Sequence, residues 1–407
     1  MKRKWGYSVG VTFTVVACLI TGCDRADRKE KEPIKVGLLY SSTGALAPYE
    51  KPVMEATLLA IEEINAAGGV LKRPLAPIVA DGASKAGTFA REAEVLIQKK
   101  GASVIFGGSC LYCRRKIKFI VERYKHLLFY PYPYVGTEIS SNIVYCGESA
   151  SQRIVPAISW LAQNLGTRFF IVGSDNRHSR IESRIIKDQV YALKGTIVGE
   201  AYITEYDGEK ALPLIVDEIR RERPNVILNT VTGAANALFF QELRNADIYP
   251  EDVPSMIFNL SEGMLSQLDS VDIKGNYTIG SYFPDIKTPE NKKLKEAFQR
   301  KYGKERLVDG MMEAAYFSVY LWAQAVEESA SHIPQKVLSA IGCQSFVAPS
   351  GFVYIDPETQ TNYKRVRIGK IGVRGQYEIV WDSENSISPR SYSPSHFEEE
   401  EGNGDVF

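Results

Sequence analysis

One rhythm, a short apolar run followed by an amphipathic stretch, passes along this chain twice and constrains its fold more than any other feature. Ile34–Tyr40 (IKVGLLY) has the continuous apolar character of a strand buried on both faces. Met54, Leu58, Ile61 and Asn65 follow at helical spacing and stop at Gly68-Gly69, a helix C-cap signal. Pro77–Ala80, a helix over Phe89–Lys100, Ser103–Phe106, a helix over Arg114–Tyr124 and Leu127–Tyr130 continue the series. The rhythm restarts after Gln152. Helices are predicted at Ile154–Asn164, Ile181–Lys194, Lys210–Glu222 and Ala234–Asn245, with strands at Arg168–Val172, Thr196–Ala201 and Val226–Asn229. Such alternation builds parallel sheets with right-handed crossovers.

Beyond Tyr277 the pattern changes. Helices at Asn291–Tyr302 and Met312–Ser329 precede strands at Phe352–Asp356, Tyr363–Ile371 and Tyr377–Trp381. The expected architecture is α/β: two Rossmann-like lobes joined by a multi-strand hinge. Residues 34–150 and 277–340 would form lobe one, and 151–276 and 341–382 lobe two. The natural site is the crevice between them, at the carboxyl ends of the strands.

Composition removes several classes of function. The chain is 44% hydrophobic and 24% charged, which excludes collagen-like and low-complexity readings for most of its 407 residues. A net charge of zero argues against nucleic acid as a partner. Four scattered His and no HExxH or paired CxxC pattern argue against a metal site. GxSxG, P-loop and GxGxxG signatures are missing from the sequence, so it points to no catalytic residue and no cofactor. His126, His178, His332 and His396 read as structural or solvent-facing, and Glu62-Glu63 and Glu327-Glu328 as solvated helix faces.

The termini read as an address and a tail. Lys2, Arg3 and Lys4 precede an apolar stretch from Val9 to Ile20, the length of a secretory segment. It ends in Ile20-Thr21-Gly22-Cys23, which resembles a bacterial lipobox. The resemblance implies cleavage before Cys23, lipidation of that residue and, from Asp24, retention at the inner membrane. Residues 1–22 are then a signal peptide whose loss leaves a formal charge of −3, and 23–33 a charged tether. Residues 383–407, with Glu398–Glu401, are expected to form a disordered acidic tail.

Within the body, aromatics and cysteines carry the most information. Tyr130-Pro131-Tyr132-Pro133-Tyr134 follows a strand and offers rigid, hydrogen-bonding walls at a crevice edge. Tyr282 and Phe283 are similarly placed near a later crossing. Gly107-Gly108 suits either a turn or close approach to a ligand. Cys110 and Cys113 form a CxxC at a helix start beside Arg114 and Arg115. Three readings stay open: a local disulfide between Cys110 and Cys113, two unpaired residues with a bridge to Cys146 in reserve, or a redox-active or ligand-contacting pair. Cys343 stands alone.

Across about Ile34 to Trp381 the chain resembles the urea- and short-chain-amide-binding branch of the type I periplasmic solute-binding proteins of ABC transporters. The resemblance is carried by Glu63-Ile64-Asn65-Ala66-Ala67-Gly68-Gly69-Val70-Leu71, Leu127-Leu128-Phe129-Tyr130-Pro131 and Val172-Gly173-Ser174-Asp175. Thr288-Pro289-Glu290-Asn291-Lys292-Lys293 and Met312-Glu313-Ala314-Ala315-Tyr316 add to it. It implies a binding set of Ser109, Cys110, Leu111, Tyr112, Tyr130, Tyr132, Tyr134, Ser174, Asp175, Asn176, Thr230, Thr232 and Tyr282. Leu111 stands where relatives carry Ser, and Asn176 where they carry Tyr.

The implied function is a lipid-anchored receptor, at the periplasmic face of the inner membrane or at the cell surface where no outer membrane exists. It would close its lobes over a small polar solute such as urea, a short amide or an amino-acid-like molecule. ABC permease subunits would be its partners, and the lipid anchor its sole membrane contact. The alternative is a sensor of the same fold that signals to a receptor or kinase.

Overall fold

The computed structural model describes residues 32–389, apart from 137, 205–207, 234, 261–272 and 374–375. The expected signal peptide, Cys23 and the run Glu398–Glu401 lie outside the described residues.

Lobe one begins with β1 (Ile34–Tyr40), which pairs in parallel with β2 (Leu75–Asp81) and β3 (Ile105–Gly107). With β4 (Leu128–Tyr130) and β5 (Ile143–Tyr145) the sheet order is β2-β1-β3-β4-β5. Helices α1 (Ala47–Ala66), α2 (Ala86–Gln98) and α3 (Leu111–Arg123) are the crossovers. All but one residue of β1 is shielded from solvent, as its apolar run requires: Val36, Leu38, Leu39 and Tyr40 are fully buried. Each such side chain contributes roughly 2 kcal/mol.

The chain enters lobe two through Gly147-Glu148-Ser149. Ser149 closes a capping box with Gln152 and starts α4 (Ala150–Asn164). Then follow β6 (Arg168–Ser174), α5 (Arg177–Ala192), β7 (Thr196–Ile203), α6 (Gly208–Glu222) and β8 (Val226–Thr230). After these come α7 (Ala235–Asn245), β9 (Ser255–Ile257) and β10 (Tyr277–Gly280). Strand alternation divides the core of this lobe. Phe169 and Ile171 pack on one face of the sheet, and Phe170 and Val172 on the other.

The next segment returns to lobe one. Helices α8 (Pro289–Tyr302), α9 (Gly310–Glu328) and α10 (Pro334–Ile341) cover its sheet, and Trp322 meets Phe106 edge-on at 6.1 Å. A small sheet, β11 (Ser345–Ala348), β12 (Gly351–Ile355) and β13 (Asn362–Tyr363), belongs to the same core through Ala348, Val353 and Ile355. Strands β14 (Arg367–Ile371) and β15 (Tyr377–Asp382) then complete the second sheet in the order β15-β14-β10-β9-β8-β6-β7.

The crossings therefore differ from the sequence expectation at two points. β10 belongs to lobe two because it pairs with β9 and β14, which moves the second crossing from 277 to just beyond Gly280. Residues 345–363 belong to lobe one, so the third crossing falls near Lys364 rather than at 341. The first residues of the expected tail are ordered. Ile387 pairs with Lys364 and its carbonyl accepts from Gln152 at 2.9 Å, so the start of that segment is packed.

One residue from each crossing meets in a buried polar knot. The Ser281 backbone N–H donates to Glu148 Oε1 at 3.0 Å, and its hydroxyl donates to the same oxygen. Lys364 Nζ, fully buried, donates to Ser281 Oγ at 3.5 Å and lies 3.9 Å from Glu313 Oε2. Burial would push Glu148 up, but Lys364, the Ser281 donors and Arg153 hold it at about 2. The hinge thus keeps an ionised acid in the interior.

Candidate binding cleft between the lobes

A cavity of about 340 Å³ opens between the lobes. Its lobe-one wall is made by Leu46, Tyr49 and Glu50 after β1, Ser109 and Cys110 after β3, Tyr132 and Pro133 after β4, and Asp309, Gly310 and Met311 at the start of α9. Lobe two contributes Arg153, His178, Thr232, Phe258, Asn259, Leu260, Phe283 and Tyr377. Glu148, the end of β10 and Tyr282 form the hinge side.

Local backbone rules place these groups. Gly107 and Gly108 have φ of +126° and +82°, which turns the chain sharply after β3 and brings Ser109 to the cleft. A Cβ on Gly107 would stand 2.1 Å from the Leu39 carbonyl oxygen. Cys110 caps α3, its sulfur accepting the Cys113 N–H at 3.0 Å, and the two residues are joined in a disulfide. Asp309 caps α9 by accepting the Met312 N–H at 2.9 Å. Glu50 lies in the first turn of α1, buried, and accepts the Ser41 N–H at 2.6 Å and the Ser109 hydroxyl.

The two lobe-one acids feel their surroundings strongly. Burial pushes Glu50 above the usual carboxylate range, offset in part by Ser109 and Ser41. Burial drives Asp309 up to about 6, against its backbone donors and with Glu148 adding repulsion. The Tyr132 hydroxyl is buried without a hydrogen-bond partner among the described residues, and both acids act on it.

On the facing wall, Arg153 is fully engaged at both terminal nitrogens. Nη1 donates to the Phe258 carbonyl at 2.6 Å and Nη2 to Glu182 Oε1 at 2.5 Å. His178 Nε2 lies 3.5 Å from the same carboxyl oxygen, and Asn259 donates to the other at 2.9 Å. Burial pushes Glu182 up, yet His178, Arg153 and Asn259 hold it well below the usual range.

Of the residues implied by the sequence, Ser109, Cys110, Tyr132, Thr232 and Tyr282 line this cavity. Tyr130 and Tyr134 instead border a smaller cavity of about 220 Å³ beside it, with Arg114. Tyr130 donates to the Ser109 carbonyl at 2.6 Å, and Tyr134 stacks on Tyr145 at 4.7 Å. Ser174 accepts from the Thr232 N–H at 2.9 Å and so supports the wall from behind. Thr230 is buried against Ser179, Asn176 caps α5, and Asp175 pairs with Arg180 at 2.7 Å on the surface. Tyr112 is exposed on α3, away from both cavities. The Leu111 side chain lies outside what the structure describes.

Glu50, Glu148, Arg153, Asn259, Asp309 and Tyr377 escaped the sequence reading, and His178 was read as structural. A first-turn acid, a helix cap and a lone His carry no signal that marks them as cleft residues. The order of elements alone held a hint, since every one but Tyr377 lies near a strand end or at a helix start in the half facing the other lobe.

Comparison with known proteins bears on this cleft. The family model of the periplasmic binding protein domain matches residues 34–398. The chain belongs to that family. Solved structures agree in fold with this periplasmic binding protein. A solute-binding protein of an ABC transporter from Rhodopseudomonas palustris BisB5, in complex with 3,4-dihydroxybenzoic acid, is 18% identical. It covers 88% of this chain and 98% of its own, with a TM-score of 0.78. An amino-acid ABC transporter substrate-binding protein from Pseudomonas fluorescens Pf-5 gives 18%, 88%, 96% and 0.78 in the same terms. A leucine-binding protein from Thermotoga maritima MSB8 gives 18%, 86%, 98% and 0.74. Among curated proteins, a limonene hydroxylase from Geobacillus stearothermophilus is 29% identical over 113 residues, 28% of this chain. The match spans only 21% of that protein's length.

Proposed function

We propose that this chain is the extracytoplasmic receptor of an ABC importer, closing its two lobes over a small polar solute and presenting it to permease subunits. Urea, a short-chain amide or an amino-acid-like molecule is the class of solute in view. Lipidation at Cys23 would tether the receptor to the membrane, and acyl chains suffice for stable attachment when more than one is present.

The observation that carries this reading is the cleft itself. Both lobes contribute to one cavity at the carboxyl ends of their strands, where aromatic and polar side chains converge. Aromatic rings supply contact area, and Glu50, Asp309 and Tyr132 supply polar contacts that select by hydrogen bonding. An aromatic carboxylate, as held by one of the structural relatives, would need a free cation. Arg153 is committed to Glu182 and the Phe258 carbonyl, which favours a solute bearing N–H donors.

Reconstitution with the cognate permease in vesicles tests the proposal. Uptake of a bound solute that requires this protein supports it. Binding without any receptor-dependent uptake would favour the sensor alternative.

A further inference from the structure

Resting on the receptor reading, we infer that the solute of this cleft is a small organic cation, a protonated amidine, guanidine or amine, seated between Glu50 and Asp309.

Charge accounting around the cavity comes first. Each acid on or behind the lobe-two and hinge walls is answered by a cation. Glu182 has Arg153 and His178, while Glu148 and Glu313 share Lys364. Glu50 and Asp309 have no such answer among the described residues. Their hydrogen-bond partners are neutral donors: the Ser41 N–H and Ser109 hydroxyl for one, and the N-terminal amides of α9 for the other. Two carboxyls facing a partly enclosed cavity without a counter-ion leave a place for positive charge.

Hydrogen-bond roles point the same way. A neutral amide needs a donor for its carbonyl oxygen as well as acceptors for its N–H groups. The Ser109 hydroxyl gives its one proton to Glu50, so this wall offers mainly acceptors. An amidinium or guanidinium has donors only and fits such a wall. The buried, unpartnered Tyr132 hydroxyl, near enough to both acids to feel their charge, can accept from such a cation while giving its own proton to a carboxylate. Tyr49, Phe258 and Tyr377 line the same cavity, and an aromatic ring attracts a cation seated over its face more than a neutral solute. Burial already raises both carboxyls above their ordinary values, as expected of acids whose partner is missing.

The test is isothermal titration of the mature chain carrying Cys23→Ser with matched pairs: acetamidinium against acetamide, guanidinium at non-denaturing millimolar levels against urea, and an amine against its parent amino acid. At least one cation should bind tenfold or more tightly than its partner at pH 7.5. That preference should shrink at pH 5 as Asp309, raised to about 6, takes up a proton. Asp309→Asn serves as the control and should weaken the cation and flatten its pH dependence. Tyr132→Phe, which keeps the ring, should also weaken it, and it covers the case in which Glu50→Gln fails to fold. Equal or tighter binding of acetamide, urea or the amino acid would overturn the inference and leave the receptor reading standing. Absence of binding across all six probes would overturn both.

Discussion

Arg153 Nη2 lies 2.5 Å from Glu182 Oε1, with both side chains buried, and this pair holds the lobe-two wall of the cleft. Phe258, Asn259 and His178 all reach the cavity through contacts to one of these two residues. Removing one partner of a buried pair strands the other charge, at a cost of about 3–5 kcal/mol. Glu182→Gln should therefore lower stability by that order in thermal unfolding. The double change Arg153→Met with Glu182→Leu should recover much of the loss, because no uncompensated charge remains.

Acidification should stabilise the ligand-free protein. Asp309 has an ordinary value of 3.8 and is raised to about 6, so the fold favours its protonated form. Stability from this group is fully present below pH 3.8 and is lost as pH rises through 6. Glu148 has the opposite sign: held at about 2 against 4.5, it stabilises above 4.5 and fails as pH falls toward 2. Between pH 7 and 5 Asp309 contributes on the order of 1 kcal/mol, while buried His126, held below its ordinary value of 6.5, acts in the opposite direction. Calorimetry should show the melting temperature of the wild type rising over that range relative to that of Asp309→Asn, a variant that still caps α9.

Two glycines should respond differently to alanine. At Gly107 the new Cβ would meet the Leu39 carbonyl oxygen at 2.1 Å, with φ at +126°. At Gly68 φ is +107° but nothing lies within 4 Å. Gly68→Ala should cost about 1 kcal/mol of backbone strain, and Gly107→Ala at least twice as much with displacement of β1 or β3. Equal melting temperatures for the two variants would contradict the contact.

The Cys110–Cys113 disulfide closes a very short loop, so its loss should cost only about 2 kcal/mol. Cys110→Ser with Cys113→Ser keeps a capping oxygen on α3 and should fold. Because Cys110 borders the cavity, the same variant should alter solute affinity more than a surface disulfide would. Parallel melting and titration measurements separate the two effects.

Much of this architecture was legible in the residues themselves. IKVGLLY reads as a strand buried on both faces, and the alternation that follows points to parallel sheets. The crossings were harder. β10 and the small sheet of β11–β13 read simply as strands, and only their pairing assigns them to a lobe. In the cleft, sequence named groups that follow strand ends, and five of the thirteen line the cavity. Tyr134 is absent from the cavity wall because its backbone pairs with Ser149 and its ring stacks on Tyr145. Glu50 and Asp309 were invisible for another reason. Their role depends on 258 intervening residues returning the start of α9 to the end of β1.

Thermal unfolding of a chain beginning at residue 24, across small amides, ureas, amines, amidines, amino acids and aromatic acids, tests the central claim most directly. A solute at about 100 times its dissociation constant adds roughly 2.7 kcal/mol, a rise of a few degrees for a chain this size. The account predicts such a rise with a nitrogen-bearing solute and its loss in Tyr132→Phe or Ser109→Ala. A rise confined to aromatic acids, or one that these substitutions leave untouched, would contradict it.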